Sequence, residues 1–292
     1  MSKLGHDKLF SFLECYLKEV ICSSTKVADL TRFSDFIDPV YWAVIAALHY
    51  DGLVEYVRFR KSSRSRDYSH YIFGRHPSLT TVPLRRVNSK REVDKTAREI
   101  VRIMDLKKEV PDLDQDDIQF FEYIIAELLD NAVDHGRSFA VCCAQKFPNI
   151  REIEIVSVDR GVGFYKTISR SYSVTNDAEA IELAVQKGVT GSGMKVYEHS
   201  PKNAGYGLYV ISHMMRDSDG KMWIISGKAY YDVINNRCYT LHKNPWQGSI
   251  ILLRFNLDKF YNRVASLGFR TYFDLLIMED YMQDEEDDSF PW

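Results

Sequence analysis

The sequence predicts an α+β fold: a mixed, mainly antiparallel sheet with helices on one face, preceded by a small α/β unit. Two observations point there. Residues 92–135 carry apolar side chains at helical spacing, whereas segments between Met222 and Phe255 read as strands. The order in between (a strand, two helices, then several strands) is that of an α+β domain rather than of repeating βα units.

Taken in order, residues 6–22 hold apolar side chains at helical spacing. Val27 to Pro39 reads as strand then turn, and Val40 to Leu48 is apolar almost all round, which predicts a buried helix. Leu53 to Arg60 alternates as a strand with one wet face. A basic, Ser-rich run, Lys61 to Arg66, follows, and Pro77 and Pro83 point to a linker near residues 76–90. Next come a charged amphipathic helix from Glu92 to Met104 and a second helix with an acidic start, Asp114 to Asp117. The second helix runs to about His135 and stops at Gly136. Arg151 to Val158 is a strand. Val174 to Lys187 is a helix with Asn176 or Asp177 as cap and Gly188 as stop, and Leu208 to Met215 is another. Strands are expected at Met222–Ser226, Tyr230–Val233, Cys238–Leu241 and Ser249–Phe255. Glu279 to Trp292 is rich in carboxylates and reads as a tail. The organisation is thus residues 1–88, residues 89–260, and a C-terminal helix with acidic tail at 261–292.

Composition narrows the class. The 292 residues are 45% hydrophobic and 13% aromatic, enough for a substantial core, and the net charge of -3 makes no whole-chain case for nucleic acid or an anionic membrane. Cys15, Cys22, Cys142, Cys143 and Cys238 are odd in number and lack metal-ligand spacing, which suits a reducing compartment. The longest apolar run is well short of the ~20 residues a membrane helix needs. A cytoplasmic, soluble protein is the expectation.

Three short blocks carry the chemistry. On a helix, Glu127, Asn131 and His135 are four residues apart and form one polar stripe, while Phe121, Ile125, Leu128 and Ala132 form an apolar one. Such a polar stripe calls for a polar ligand, and a Mg²⁺-triphosphate would satisfy it. The Asn131 carbonyl suits magnesium, and Glu127 is placed to orient or deprotonate an attacking hydroxyl. Asp159 ends a strand with the parity of Ile153 and Ile155, so it faces inward. A carboxylate there accepts from an exocyclic amine and reads adenine over guanine. Gly161 and Gly163 behind it would let backbone approach base and ribose. Gly205-Tyr206-Gly207-Leu208 precedes a helix, whose free N–H groups suit phosphate. Between these blocks Phe164 to Ala204 forms a lid, with Thr190, Ser192, Lys195 and Lys202 available to a γ-phosphate.

In this order the blocks resemble the GHKL superfamily, the Bergerat-fold ATP-binding proteins. Glu127 to Asn131 resembles its N box, Asp159-Arg-Gly161-Val-Gly163 its first glycine box, and Gly205 to Leu208 its second. Gly248-Ser249 with the strand Ile250 to Phe255 resembles the closing Gly-Thr strand, with Ser249 in place of Thr. Asn131-Ala-Val-Asp134-His135-Gly136 is most similar to the anti-sigma serine-kinase group, and residues 178–190 resemble the lid of stand-alone members. The resemblance covers about residues 90–258. It implies a Bergerat-type α/β sandwich, ATP and Mg²⁺ as cofactors, Asn131 as magnesium ligand, Glu127 as general base and Asp159 with Ser249 at adenine. It places Asp134, His135, Gly161, Gly163, Thr190, Lys195, Gly205, Tyr206, Gly207 and Leu208 around the nucleotide. Phe36 to Pro39, the apolar helix and Ser69 to Ile72 resemble a degenerate STAS-like unit.

Two functions follow. One is an ATPase or serine/threonine-kinase-like regulator in bacterial signalling or defence, and the other a nucleotide-gated module that shows a protein partner a different surface when ATP closes the lid. A homodimer stays open. Nucleic-acid binding through Arg58 to Arg66 with Tyr68 and Tyr71 is a third, weaker reading, because such runs are more often solvated loops.

Overall fold

The computed structural model describes residues 6–16, 25–29, 38–58, 72, 80–191 and 205–284. Ser192, Lys195, Lys202, the basic run Lys61 to Arg66 with Tyr68 and Tyr71, and the tail from residue 285 lie outside them.

The centre is a seven-stranded sheet built from β3 (Thr81–Val87), β4 (Ala140–Phe147), β5 (Glu152–Asp159), β6 (Lys221–Gly227), β7 (Ala229–Asp232), β8 (Arg237–Thr240) and β9 (Trp246–Asn256), in the order β3-β4-β5-β9-β6-β7-β8. Every pairing in it is antiparallel, not mixed as expected. Short turns at 148–151 and within 228–236 join sequential strands, and chains joined so tightly pair antiparallel. The parallel pair lies outside this sheet, where β1 (Val27–Asp29) meets β2 (Tyr56–Arg58).

β3 lies within the expected linker. Pro83, which reads as a breaker, sits where the β3–β4 register shifts between Val82 and Arg85. An edge strand with a bulge is where a residue without an N–H is tolerated in a sheet.

Helices cover both faces of the sheet rather than one. Ile153, Ile155, Phe255 and Leu253 belong to a core shared with α3 (Lys90–Met104), α4 (Gln115–Asp130), α5 (Gly163–Ile168), α6 (Asp177–Ala184), α7 (Gly207–Asp217), α8 (Leu257–Arg263) and α9 (Phe269–Asp284). Val156, Val158, Leu252 and Ile250 point the other way, into a core shared with α1 (His6–Ser11) and α2 (Pro39–Tyr50). The reason is in the strands. β4 is buried at every residue from Ala140 to Lys146, so neither of its faces can be left in water. α2 is its complement: Pro39 to Leu48 are all buried, and the helix packs on β4 and β5. Cys142 and Cys143 fall in opposite cores, and both are free thiols.

Local signals explain the helices that position the site. Asp114 accepts from the Asp117 N–H at 2.8 Å while Asp117 accepts from the Asp114 N–H at 2.9 Å. This reciprocal cap fixes the start of α4, where carboxylates also meet the positive end of the helix. Asn176 caps α6 through the Glu179 N–H at 3.0 Å. α9 continues to Asp284, so the expected acidic tail begins as helix. Its near end packs on α4, with the Phe120 ring 5.1 Å from that of Phe269 and the Tyr123 ring 5.8 Å from that of Phe273. Among the described residues no helix is long and apolar enough to cross a membrane.

Candidate functional site

α4 does not run straight to His135. It ends at Asp130, and Asn131–His135 forms a wider turn, with the Gly136 N–H donating to the Asn131 carbonyl at 2.8 Å. Such one-turn widenings recur at functional sites because they re-aim side chains at a helix end. The even four-residue stripe is thereby stretched, yet Glu127, Asn131 and His135 still face one cavity.

That cavity has a volume of ≈ 590 Å³, within the usual range for a small-molecule site. All three sequence blocks line it. Glu127, Asn131, Asp134 and His135 come from the end of α4, Asp159 and Gly163 from the end of β5 and start of α5, and Gly205, Gly207 and Leu208 from the start of α7. Thr190 with Gly191, and Ser249 on β9, complete the wall. Gly161 and Tyr206 are not in the wall. The Tyr206 ring meets Phe273 of α9 edge-on at 6.5 Å instead.

Asp159 is the buried anchor, 2% exposed. Its Oδ1 accepts from the Gly161 N–H at 2.7 Å, and its Oδ2 accepts from the Ser249 N–H at 3.1 Å and from the Ser249 hydroxyl. Burial pushes its carboxyl up to about 6, against the pull of these hydrogen bonds and of nearby Arg160. A carboxylate has room for further donors beyond three, so it remains able to accept from a ligand amine.

The glycines are packed tightly against the chain itself. A Cβ on Gly161 would lie 2.0 Å from the Gly136 carbonyl oxygen, and one on Gly163 (φ +77) would lie 2.7 Å from the Ser226 hydroxyl oxygen. What these positions admit is the protein's own chain: the 136 loop closes on the 161 loop, with the Val162 N–H donating to the Gly136 carbonyl at 3.0 Å. Gly207 does serve the cavity. The nearest atoms to a Cβ there are those of the Glu127 side chain, with Oε2 at 2.0 Å, so the missing side chain lets this carboxylate sit at the start of α7. Tyr206, the residue before that helix, makes no side-chain cap hydrogen bond. The first N–H groups of a helix have no partner within the helix itself.

The rim is cationic. Lys90 at the start of α3 lines the cavity and pairs with Asp134 at 2.8 Å, both side chains about half exposed. The hydrogen bond from Lys90 holds the Asp134 carboxyl below its usual range and raises Lys90. Burial lowers the His135 pKa, which keeps its imidazole neutral at pH 7. Arg137 and Arg170 are exposed wall residues. Lys90, Arg137, Thr167 and Arg170 were not singled out from sequence. Lys90 lies far from the blocks in the chain, and only the packing of α3 against α4 brings it there.

The Asn131 Nδ2 is buried and finds no hydrogen-bond partner among the described residues. Nor do those residues contain a group of three or more His, Cys, Asp or Glu placed to hold a metal ion. A magnesium ion carried with a triphosphate takes only one or two protein ligands, so Asn131 alone suits that case.

Comparison of the chain with protein-family models and with curated proteins returns no match.

Proposed function

We propose that this chain binds Mg-ATP in a pocket of the GHKL, Bergerat-fold type. The observation that carries the reading is Asp159, a buried carboxylate held by Gly161 and Ser249 on the wall of the ≈ 590 Å³ cavity that also gathers Glu127, Asn131 and the start of α7. A buried carboxylate is costly without purpose, and one opening onto a cavity of nucleotide size reads an adenine amine. In this reading the N–H groups at Gly207 and Leu208 receive phosphate oxygens, and Lys90, Arg137 and Arg170 screen their charge. Asn131 would hold a magnesium ion there, which when bound would supply charge neutralisation to the triphosphate. Glu127, at the start of α7, takes the proton of an attacking water or protein hydroxyl, which makes the chain an ATPase or a serine/threonine kinase.

A second reading, in which nucleotide gates a surface for a protein partner, is favoured by the tie between lid and C-terminal helix. Lys187, within the lid stretch, donates to the Ile277 carbonyl of α9 at 2.8 Å, and Tyr206 abuts Phe273.

Calorimetric titration of Mg-ATP into wild type, Asn131→Ala and Asp159→Asn, with Mg-GTP as control, tests the pocket. The reading expects adenine-selective binding that both substitutions abolish. Wild type that binds neither nucleotide would refute it. Turnover lost in Glu127→Ala selects the enzyme, whereas nucleotide-dependent partner capture that survives this substitution selects the gated module.

A further inference from the structure

Arg160 is the residue of the first glycine block whose side chain leaves the pocket. It continues the parity of Val156 and Val158, so it turns to the face covered by α2 while Asp159 turns to the cavity. Its guanidinium is almost fully enclosed. Nε donates to Asp51 Oδ2 at 3.0 Å, Nη1 donates to the Gln247 carbonyl at 3.3 Å, and the group lies 4.8 Å over the Trp246 ring. Asp51 is the residue that closes α2, its N–H donating to the Ala47 carbonyl at 3.0 Å. Trp246 in turn donates its indole N–H to the Asp159 carbonyl at 3.1 Å, and Gln247 Nε2 donates to the Arg160 carbonyl at 3.1 Å. The backbone on both sides of the Asp159–Arg160 peptide is therefore tied to groups that Arg160 organises.

A guanidinium both stacked on an indole and paired with a carboxylate is held in place, and removing Asp51, whose side chain is 34% exposed, would strand the 7% exposed Arg160 charge. The end of α2 therefore reaches the nucleotide site without touching the cavity. We propose that Arg160 is a positioning residue for Asp159, and that through Asp51 it makes nucleotide affinity depend on how the N-terminal layer is docked. The proposal rests on the reading of Asp159 as the adenine acceptor. It adds to that reading a control surface, the α2 end of the N-terminal layer, from which binding on the far side of the sheet is tuned.

The test is a mutant cycle on the full chain with Asp51→Asn, Arg160→Gln and the double variant. Mg-ATP affinity is read by calorimetry, and amide exchange at Gly161 and Val162 is read without nucleotide. Each single substitution is expected to weaken Mg-ATP about tenfold, a usual size for coupling between sites. The double variant is expected to be no weaker than either single one, because all three break the same link. Exchange at Gly161 and Val162 rises in every variant while the amides of β9 hold steady, and Arg160→Lys recovers part of both effects. Additive losses, unchanged affinity, or exchange that rises equally along β9 would overturn the proposal. Should wild type bind no ATP, the nucleotide reading falls by itself, and the exchange arm still decides whether Arg160 holds the 159–162 loop.

Discussion

Ser249 gives both its backbone N–H, at 3.1 Å, and its hydroxyl to the same carboxylate oxygen of Asp159. Two donors on one oxygen favour the charged form, yet burial still pushes the group up to about 6 from an ordinary 3.8. Desolvation therefore outweighs hydrogen bonding here, which gives the site a pH signature. On the proposed nucleotide reading, the carboxylate is ionised above about pH 6 and would accept strongly from an adenine amine, while below it the proton would weaken that bond. Adenosine is the right probe, since phosphates titrate near the same pH. Its affinity is expected to fall as pH drops through about 6, and the midpoint is expected to move up in Ser249→Ala, which removes a donor to the carboxylate. Adenosine affinity that is flat from about pH 5 to about pH 8 would remove Asp159 from the base site.

Gly207→Ala separates binding from turnover. The atoms nearest the added Cβ all belong to the Glu127 side chain, and Gly207 has ordinary helical backbone. Glu127 must swing away, while the first-turn N–H groups of α7 stay in place. Turnover is expected to fall about a hundredfold, the size of a lost general base, with Mg-ATP affinity changed little. Adding Glu127→Ala to it should cost nothing more. A double variant markedly slower than both single ones would show that Gly207 serves the phosphates directly.

Gly161→Ala behaves differently, because its Cβ would strike backbone, 2.0 Å from the Gly136 carbonyl oxygen. Neither loop can yield cheaply, since Gly136 also accepts from Val162 and Gly161 donates to Asp159. Overpacking of this kind costs about 1–3 kcal/mol, which lowers Tm by roughly 2–4 °C for each kcal/mol in a domain of this size. Thermal melts without nucleotide measure it. An unchanged melting temperature would mean that the 136 and 161 loops are not locked together.

The residues that form the cavity were largely legible in the sequence because each sits at an element end with a local reason to be there: a capped helix, a strand of fixed parity, a glycine before a helix. What escaped depends on the third dimension. Lys90 reaches the rim through the packing of α3 on α4, and β4 hides because a strand buried on both faces shows no alternation. The second helical layer escaped for a related reason. An all-apolar α2 reads as buried, but nothing in its sequence says that it is buried on β4 and β5. The bond from Asp51 to Arg160 spans 109 residues, and no spacing rule reaches across that.

That second layer has its own pH signature, in Glu154. It lies on β5 facing α2, is 1% exposed, and its Oε1 finds no hydrogen-bond partner among the described residues. Burial, and then the nearby Asp38 carboxylate, push its carboxyl up to about 8. Arg254 and the Val40 N–H oppose the shift, and Glu152 adds to it. Arg254 cannot win because it is shared: its Nε is 2.7 Å from Glu152, whereas its Nη1 is 3.6 Å from Glu154. The folded chain therefore keeps a proton that the unfolded chain loses above about pH 4.5. Between about pH 4.5 and about pH 8 the unfolded state binds fewer protons, so the contribution of Glu154 to stability is largest at the acid end and is lost as pH rises. Glu154→Gln keeps the shape of the protonated acid and cannot ionise. The two proteins are expected to melt close together near pH 5, with the variant gaining on the order of 10 °C over wild type by about pH 9. Melting temperatures that stay parallel across that range would mean that Arg254 holds Glu154 ionised, and that α2 is docked on the sheet over a buried ion pair rather than over a neutral acid.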